Sequence, residues 1–376
     1  MPAAPDAAVA VVGAGAAGLG LAVRLAAARL PGVVLVQSPE PAPERTWCSW
    51  QRRPVPWADA VAHRWPAADV VGPDGVRTRL DLAPYRYEMV RSRDFEAWAG
   101  ARLDGVQRVS AHVERVEDGP DAARVVGDGV DLRATWVLDT RPVPPARPGR
   151  TALLQHFVGW TVRTDRDAFD PATASLMDFR LPQPAGGVAF GYVLPTSPRE
   201  ALVEHTVFSR TAWPDADHED GLRRYAAVLG LPPHEVLAVE RGAIPMTDAP
   251  FPRRAGRRVF RLGAAGGATR PSTGYTFTAA QRQAAAVAHA LVAGRQPLPP
   301  PAWPRRHRAM DAVLLRALDA GRLDGAAYLA DLFARHPAPR VLRFLDGDST
   351  PLEELAVMAR SPRGPMLRSL VGNRSQ

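Results

Sequence analysis

Two stretches of this chain hold residues whose types and spacing could do chemistry. Gly13-Ala-Gly15-Ala-Ala-Gly18 has the spacing G-x-G-x-x-G. In such a loop the first glycine permits a tight turn, the second lets the backbone approach a pyrophosphate, and the third lets a helix pack close to a strand. The anion rests on free N–H groups at the helix start, so Ala16 and Ala17 are cofactor candidates together with the three glycines. An acidic residue about 20 positions further on usually holds a ribose hydroxyl. Gln37 stands there instead. An amide can bond a hydroxyl, without charge assistance, and Glu40 or Glu44 could serve in its place. This weighs against NAD more than against FAD. The second stretch is Ala201-Leu-Val-Glu-His-Thr-Val-Phe208. Glu204 sits in an otherwise apolar strand and shares a face with Leu202 and Thr206 by period two. A carboxyl buried there is raised in pKa, because burial disfavours the anion, and can donate a proton near neutral pH. On these residues alone, an acid on the solvent face of an edge strand is at least as good a reading.

The elements that must position these residues are legible around them. Val9 to Val12 reads as a buried strand, Ala16 to Ala28 as a helix and Val33 to Val36 as a second strand. Strand, glycine loop, helix and strand make a βαβ unit, the context that gives the glycine spacing its meaning. Short strands follow at 109–116, 123–126 and 136–138, separated by Gly/Asp/Pro turns. Arg141 to Gly149 is a proline-rich linker. Residues 152–246 are strand-rich, with a hairpin of Gly187–Leu194 and Ala201–Phe208 across Pro195-Thr-Ser-Pro198. From Val259 the opening pattern returns as a strand, a glycine loop over 263–267 and a helix ending near Gly294. The tail from Trp303 reads as short helices split by Pro337, Pro351, Pro362 and Pro365. The expected fold is α/β (α+β). A Rossmann-like dinucleotide domain is formed by residues 1–150 and 247–300, a β-rich substrate domain by 151–246, and a helical region by 301–376.

Composition excludes several classes. No stretch reaches the roughly 18 consecutive apolar residues of a membrane span, and the N-terminal residues carry no basic n-region of a secretory signal. The single cysteine, Cys48, permits no internal disulfide and no cysteine metal site, which fits a reducing cytosol. His112, His156 and His205 lack metal-ligand spacing, so no metal is expected. All 47 basic residues are Arg, and the net charge is +8. They are scattered rather than clustered with aromatics, which argues against nucleic acid; an anionic membrane surface stays open as a partner.

The order of elements resembles flavoproteins built like p-hydroxybenzoate hydroxylase. Trp136-Val-Leu-Asp139-Thr-Arg141 resembles their second cofactor strand, and Leu262-Gly263-Ala-Ala-Gly266 their third motif, with Ala264 where many relatives carry Asp. A narrower resemblance follows. Arg45-Thr46-Trp47-Cys48-Ser49-Trp50 looks like the RTWCxW signature of lycopene cyclases, and Gln155-His-Phe157 through Trp160 like their Q-x-F-x-G segment. Tyr192-Val-Leu-Pro195 with Leu202-Val-Glu204-His-Thr206 is similar to their YVLP and L-I/V-E-x-T hairpin. Gly242 to Met246 resembles their G-x-I/L-P-M turn, and Gly263 through Tyr275 their loop ending P-S/T-T-G-Y.

That resemblance implies a bacterial-type lycopene β-cyclase, an enzyme that isomerises the linear ends of lycopene to β-ionone rings, giving γ-carotene and then β-carotene. It implies reduced FAD without net redox, NAD(P)H as the electron source, and Glu204 as the proton donor. The implied cofactor contacts are Gly13, Gly15, Ala16, Ala17, Gly18, Gln37, Arg45, Val113, Asp139, Gly263, Gly266, Pro271, Thr273, Gly274 and Tyr275. Trp47, Trp50, Phe157, Trp160 and Phe277 are expected to line a pocket for a carbocation, which aromatic faces attract. Glu240, Glu204 after donation, or the flavin could take the last proton. A lipid-soluble substrate implies peripheral docking on the inner face of the plasma membrane, with Arg360 to Arg374 as a candidate interfacial segment. A flavin monooxygenase or reductase, or a cyclase acting on another polyene, is the competing expectation.

Overall fold

The computed structural model describes residues 4–370. The chain opens with β1 (Ala7–Val12), α1 (Ala16–Ala27) and β2 (Val33–Gln37). There follow β3 (Thr46–Gln51), β4 (Val61–Trp65), β5 (Ala67–Val71), β6 (Arg77–Asp81), β7 (Arg86–Arg91) and α2 (Ser92–Gly100). Next come β8 (Val106–Ser110), β9 (His112–Glu117), β10 (Ala123–Asp128) and β11 (Val130–Asp139). The middle of the chain holds β12 (Ala152–Thr164), β13 (Thr173–Asp178), β14 (Val188–Pro195), β15 (Glu200–Ser209), α3 (Asp215–Leu229) and β16 (His234–Thr247). β17 (Val259–Arg261) and α4 (Phe277–Val292) precede α5 (Arg305–Asp319), α6 (Gly325–Arg335), α7 (Ala338–Asp346), α8 (Pro351–Ala359) and α9 (Arg363–Leu370).

Three sheets organise these elements. In the first, the strand order is β8-β2-β1-β11-β10-β9, with β17 beside the C-terminal half of β11. β8, β2, β1, β11 and β17 run parallel, and β1 is buried on both faces, as its Val/Ala run requires. α1 and α4 cover one face in a common core with Phe95, Trp98 and Trp303. They approach closely because a Cβ on Gly20 would fall 2.3 Å from Oε1 of Gln281 on α4. The run read as one strand at 109–116 is two, since Ala111 turns the chain from parallel β8 into antiparallel β9.

The second sheet has the order β16-β12-β15-β14-β13-β5-β6. Its last two strands come from residues 67–81, far upstream of the span where the sequence reading placed this sheet; β5 enters parallel to β13. One face packs on α5 to α8 and on Trp50, Tyr87 and Met89. The other is covered by α3, whose buried residues His218, Leu222 and Tyr225 follow helical spacing. That helix is not evident in the sequence, because the rest of it is polar and Gly221 interrupts it. The glycine is needed there: a Cβ would sit 2.4 Å from the His205 ring. The third sheet, β3-β7-β4, is small; its strand β3 reaches both β16 and the first turn of α4.

Candidate active site

The glycine loop forms an anion cradle. Gly13 has φ +99, and a Cβ there would lie 2.4 Å from Thr140 Oγ1. A Cβ on Gly18 would fall 1.9 Å from the Gly13 carbonyl oxygen, whereas one on Gly15 would meet nothing within 4 Å. Gly15 is the N-cap of α1, no side chain caps it, and the first turn carries no acid. The helix therefore presents uncapped N–H groups and the positive end of its dipole to open space. Gly263, at φ +70, places the later loop against this turn, since a Cβ on it would lie 2.7 Å from the Ala17 Cβ. A bound dinucleotide's pyrophosphate fits this arrangement of Gly13 to Gly18 and Gly263 to Gly266.

The other expected cofactor residues are placed as follows. Gln37 closes β2 and accepts a hydrogen bond from Arg108 at 3.0 Å. Both oxygens of Asp139 accept from Arg141, at 3.0 and 2.9 Å. Arg141 also donates to the Val113 carbonyl at 2.6 Å, so Asp139 and Val113 are joined to each other through it. Arg45 donates to the Arg241 carbonyl at 2.7 Å, at the edge of the second sheet. Pro271, Thr273, Gly274 and Tyr275 lie on one tight loop, in which Gly274 has φ +73 and the Thr273 hydroxyl accepts from Tyr275 N. Beside it, Gln155 Oε1 and Trp50 Nε1 are buried without a hydrogen-bond partner among the described residues. A Cβ on Gly274 would lie 2.5 Å from that same Gln155 oxygen. Two orphaned polar atoms beside a glycine loop are what a polar ring edge of a bound cofactor would satisfy.

Glu204 is the centre of the second sheet's inner face. It is buried, at 8% exposure. The register sets it between Tyr192 on β14 and Gly159 on β12, with Glu240 on β16 next in the row. Burial pushes its carboxyl up to about 8; the Thr206 hydroxyl, which donates to it, opposes this, and the charge of Glu240 adds to it. The acid is therefore protonated near neutral pH. Around it Tyr87 is hydrogen bonded to both Tyr192 (2.5 Å) and Tyr275 (2.9 Å). Burial holds all three phenols neutral and pushes the Cys48 thiol up to about 12. Trp50 stands edge-on to Tyr275 at 4.8 Å and stacks on Tyr87 at 6.3 Å.

The five expected pocket aromatics divide. Trp50 belongs to the wall just described, and Phe157 shares the face of Glu204, its ring filling the space above Gly242. Trp160 requires a correction. It is one residue out of phase with Gly159, so it points to the opposite face and packs with Val158, Val203 and Leu222 under α3. Trp47 and Phe277 stack on each other at 5.2 Å and join Phe95 and Trp57 in the core of the first sheet, and Phe277 also borders a small cavity lined by Cys48, Trp50 and Tyr275.

Several residues of the site carried no legible signal. Tyr87 lies in a segment without a recognised motif. Arg270, fully buried, is paired with Asp311 at 3.1 Å and capped by Trp303 and Phe344. It fixes the base of the Pro271–Tyr275 loop to α5 and α7, and its only clue was its place before Pro271. Behind Glu204, His218 is hydrogen bonded to His156 (2.7 Å) and His205 (3.1 Å). Burial lowers all three, His156 and His205 to about 4, so they stay neutral. Among the described residues no group of three or more His, Cys, Asp or Glu is arranged to hold a metal.

A mainly parallel sheet with a glycine cradle, joined to a mainly antiparallel sheet whose face carries a buried acid, defines the fold class. It is the mixed α/β fold of flavin-dependent enzymes of the p-hydroxybenzoate hydroxylase type. A geranylgeranyl bacteriochlorophyll reductase-like protein from Thermoplasma acidophilum superimposes with a TM-score of 0.68 at 15% identity, covering 96% of this chain and 98% of the other. An enzyme from Klebsiella pneumoniae solved with FAD gives 0.57 at 16% identity, over 97% of this chain and 100% of the other. Within that class the chain belongs to the lycopene cyclase family, whose sequence profile matches residues 8–371. It is 28% identical over 334 residues to the lycopene beta-cyclase of Pseudescherichia vulneris, covering 82% of this chain and 80% of the relative.

Proposed function

We propose that this chain is a lycopene β-cyclase working with FAD. The observation that carries the reading is Glu204: a carboxyl buried on an apolar, aromatic-lined face and held in its acid form. Protonating a terminal double bond requires such a group, and Glu204 is the donor in this proposal. Its hydroxyl partner Thr206 orients it, while Trp50, Phe157, Tyr87 and Tyr275 offer ring faces to the cation. Gly13 to Gly18 and Gly263 to Gly266 hold the pyrophosphate, and the Pro271–Tyr275 loop with Gln155 meets the ring system. A reduced flavin held there would supply a negative charge beside the cation without net redox, with NAD(P)H as the source of the reduced state.

The chain meets its substrate at the inner face of the plasma membrane in this proposal. No helix among the described residues is long and apolar enough to cross a membrane. Support for docking comes from Leu352, Leu355 and Met358, exposed at helical spacing on α8, and from Leu367 on α9. The end of the segment expected to dock, including Val371 and Arg374, lies outside the described residues.

Expression in a lycopene-accumulating host tests the reading. Conversion to β-carotene, abolished by Glu204→Gln with bound FAD retained, is the expected result. Unchanged lycopene, or NAD(P)H consumed in proportion to product, would overturn it; the latter would point to a monooxygenase or reductase.

A further inference from the structure

The row through Glu204 crosses a strand position that carries no side chain. Gly159 pairs with Glu204 on one side and with Glu240 on the other, so the two acids share a face across a strand that offers no side chain. At about 4.8 Å per strand their Cα atoms are roughly 10 Å apart. Paired carboxyls that work on opposite sides of a sugar ring stand at about 5–9 Å, a range that two Glu side chains on such a row can span. The space directly over Gly159 is taken up by its neighbours, since a Cβ there would lie 3.0 Å from Leu202 Cδ1 and 3.6 Å from Glu204 Cβ and Cγ.

The two acids are held differently. Glu240 is half-buried and accepts Thr46 N on Oε1 at 2.8 Å and the Thr46 hydroxyl on Oε2 at 2.6 Å. Both are donors to a carboxylate and favour its charged form. Burial raises the Glu240 carboxyl above its ordinary range; the Thr46 donors and Arg45 work against that rise, and Glu44 adds to it. Glu204 is more deeply buried and has one hydroxyl donor. It faces Tyr192, Tyr275, Cys48 and Glu240, of which the first three are kept neutral by burial. Two carboxyls in one row, one set among neutral groups with a single hydroxyl donor and the other gripped by two Thr46 donors, can serve as an acid and a base.

We propose that Glu240 removes the proton that completes the ring. This rests on the cyclase reading above. In the balanced step the Glu204 O–H bond breaks and a C–H bond forms at the terminal double bond. The electron pair of a nearby double bond closes the ring C–C bond. Glu240 then takes a proton from a carbon next to the new cation, and that C–H pair becomes the ring double bond. One proton enters and one leaves, and no electrons are lost. Glu240, half-buried, releases its proton to solvent, and Glu204 is reprotonated before the next turnover.

The test uses the FAD-loaded full chain with lycopene in liposomes, comparing wild type, Glu240→Gln and Glu240→Asp for rate, product isomers and pH profile. Glu240→Gln keeps an oxygen for Thr46. Its kcat is expected to fall by about 100-fold or more at unchanged KM, with loss of the acid limb of the profile and a shift of residual product toward other double-bond isomers. Glu240→Asp restores β-ring formation in part. β-Rings formed by Glu240→Gln at the wild-type rate would overturn the proposal. So would a slower reaction with the acid limb and isomer pattern unchanged, which marks Glu240 as a support for Thr46 alone. Failure of the wild type to cyclise lycopene overturns the cyclase reading instead.

Discussion

Replacing Glu204 with Gln should change how stability depends on pH, and the size of the change follows from burial. The carboxyl titrates at about 8 in the folded chain against 4.5 for the free side chain. Between those values the unfolded chain gives up the proton while the folded chain keeps it, so the stabilising contribution present below pH 4.5 is lost as pH rises to about 8. The slope is about 1.36 kcal/mol per pH unit, which accumulates to at most about 5 kcal/mol over the window. Glutamine has the same shape and does not titrate. The stability of Glu204→Gln relative to wild type should therefore improve with pH, by roughly 2–3 kcal/mol between pH 5.5 and pH 7.5. Urea unfolding of the two proteins at pH 5.5, 6.5 and 7.5 measures this, because every other titrating group is common to both. Parallel stability curves across that range would refute the argument that Glu204 is buried in its acid form.

Three further outcomes follow from particular contacts. Gly18→Ala puts a methyl group against the Gly13 carbonyl and should weaken FAD retention at least about tenfold, roughly 1.4 kcal/mol; flavin absorbance per protein after gel filtration reads it, and full retention would contradict the cradle. Arg270→Met leaves Asp311 buried without its partner and should cost about 3–5 kcal/mol, seen as a lowered denaturation midpoint; a loss below about 1 kcal/mol would contradict the role given to this pair. Trp160→Leu should lose about 1–3 kcal/mol of stability yet cyclise within about twofold of wild type, since Trp160 packs under α3; a rate loss above tenfold in folded protein would return it to the pocket.

What the sequence could show depended on whether the information was local. The cradle was legible because its glycines, the strand before them and the helix after them are contiguous, and the hairpin bearing Glu204 was legible from alternation across a short turn. The membership of β5 and β6 in the second sheet was not, because parallel pairing of Ala67–Val71 with Thr173–Asp178 leaves no mark in either segment. Trp160 was misplaced because a motif match records neighbours along the chain, whereas the strand period sends Gly159 and Trp160 to opposite faces. The Tyr87–Tyr192–Tyr275 chain and the Arg270–Asp311 pair join residues from distant segments. α3 stayed hidden because it buries only a narrow stripe, and His218 is one of the three residues in it.

The most direct test of the central claim is the rate of β-ring formation from lycopene as a function of pH, with the purified FAD-loaded chain and its Glu204→Gln variant. The account predicts an alkaline limb centred near pH 8, where Glu204 loses its proton, and no measurable rings from the variant at any pH. Ring formation by Glu204→Gln, or a wild-type rate that holds steady well above that limb, would contradict it.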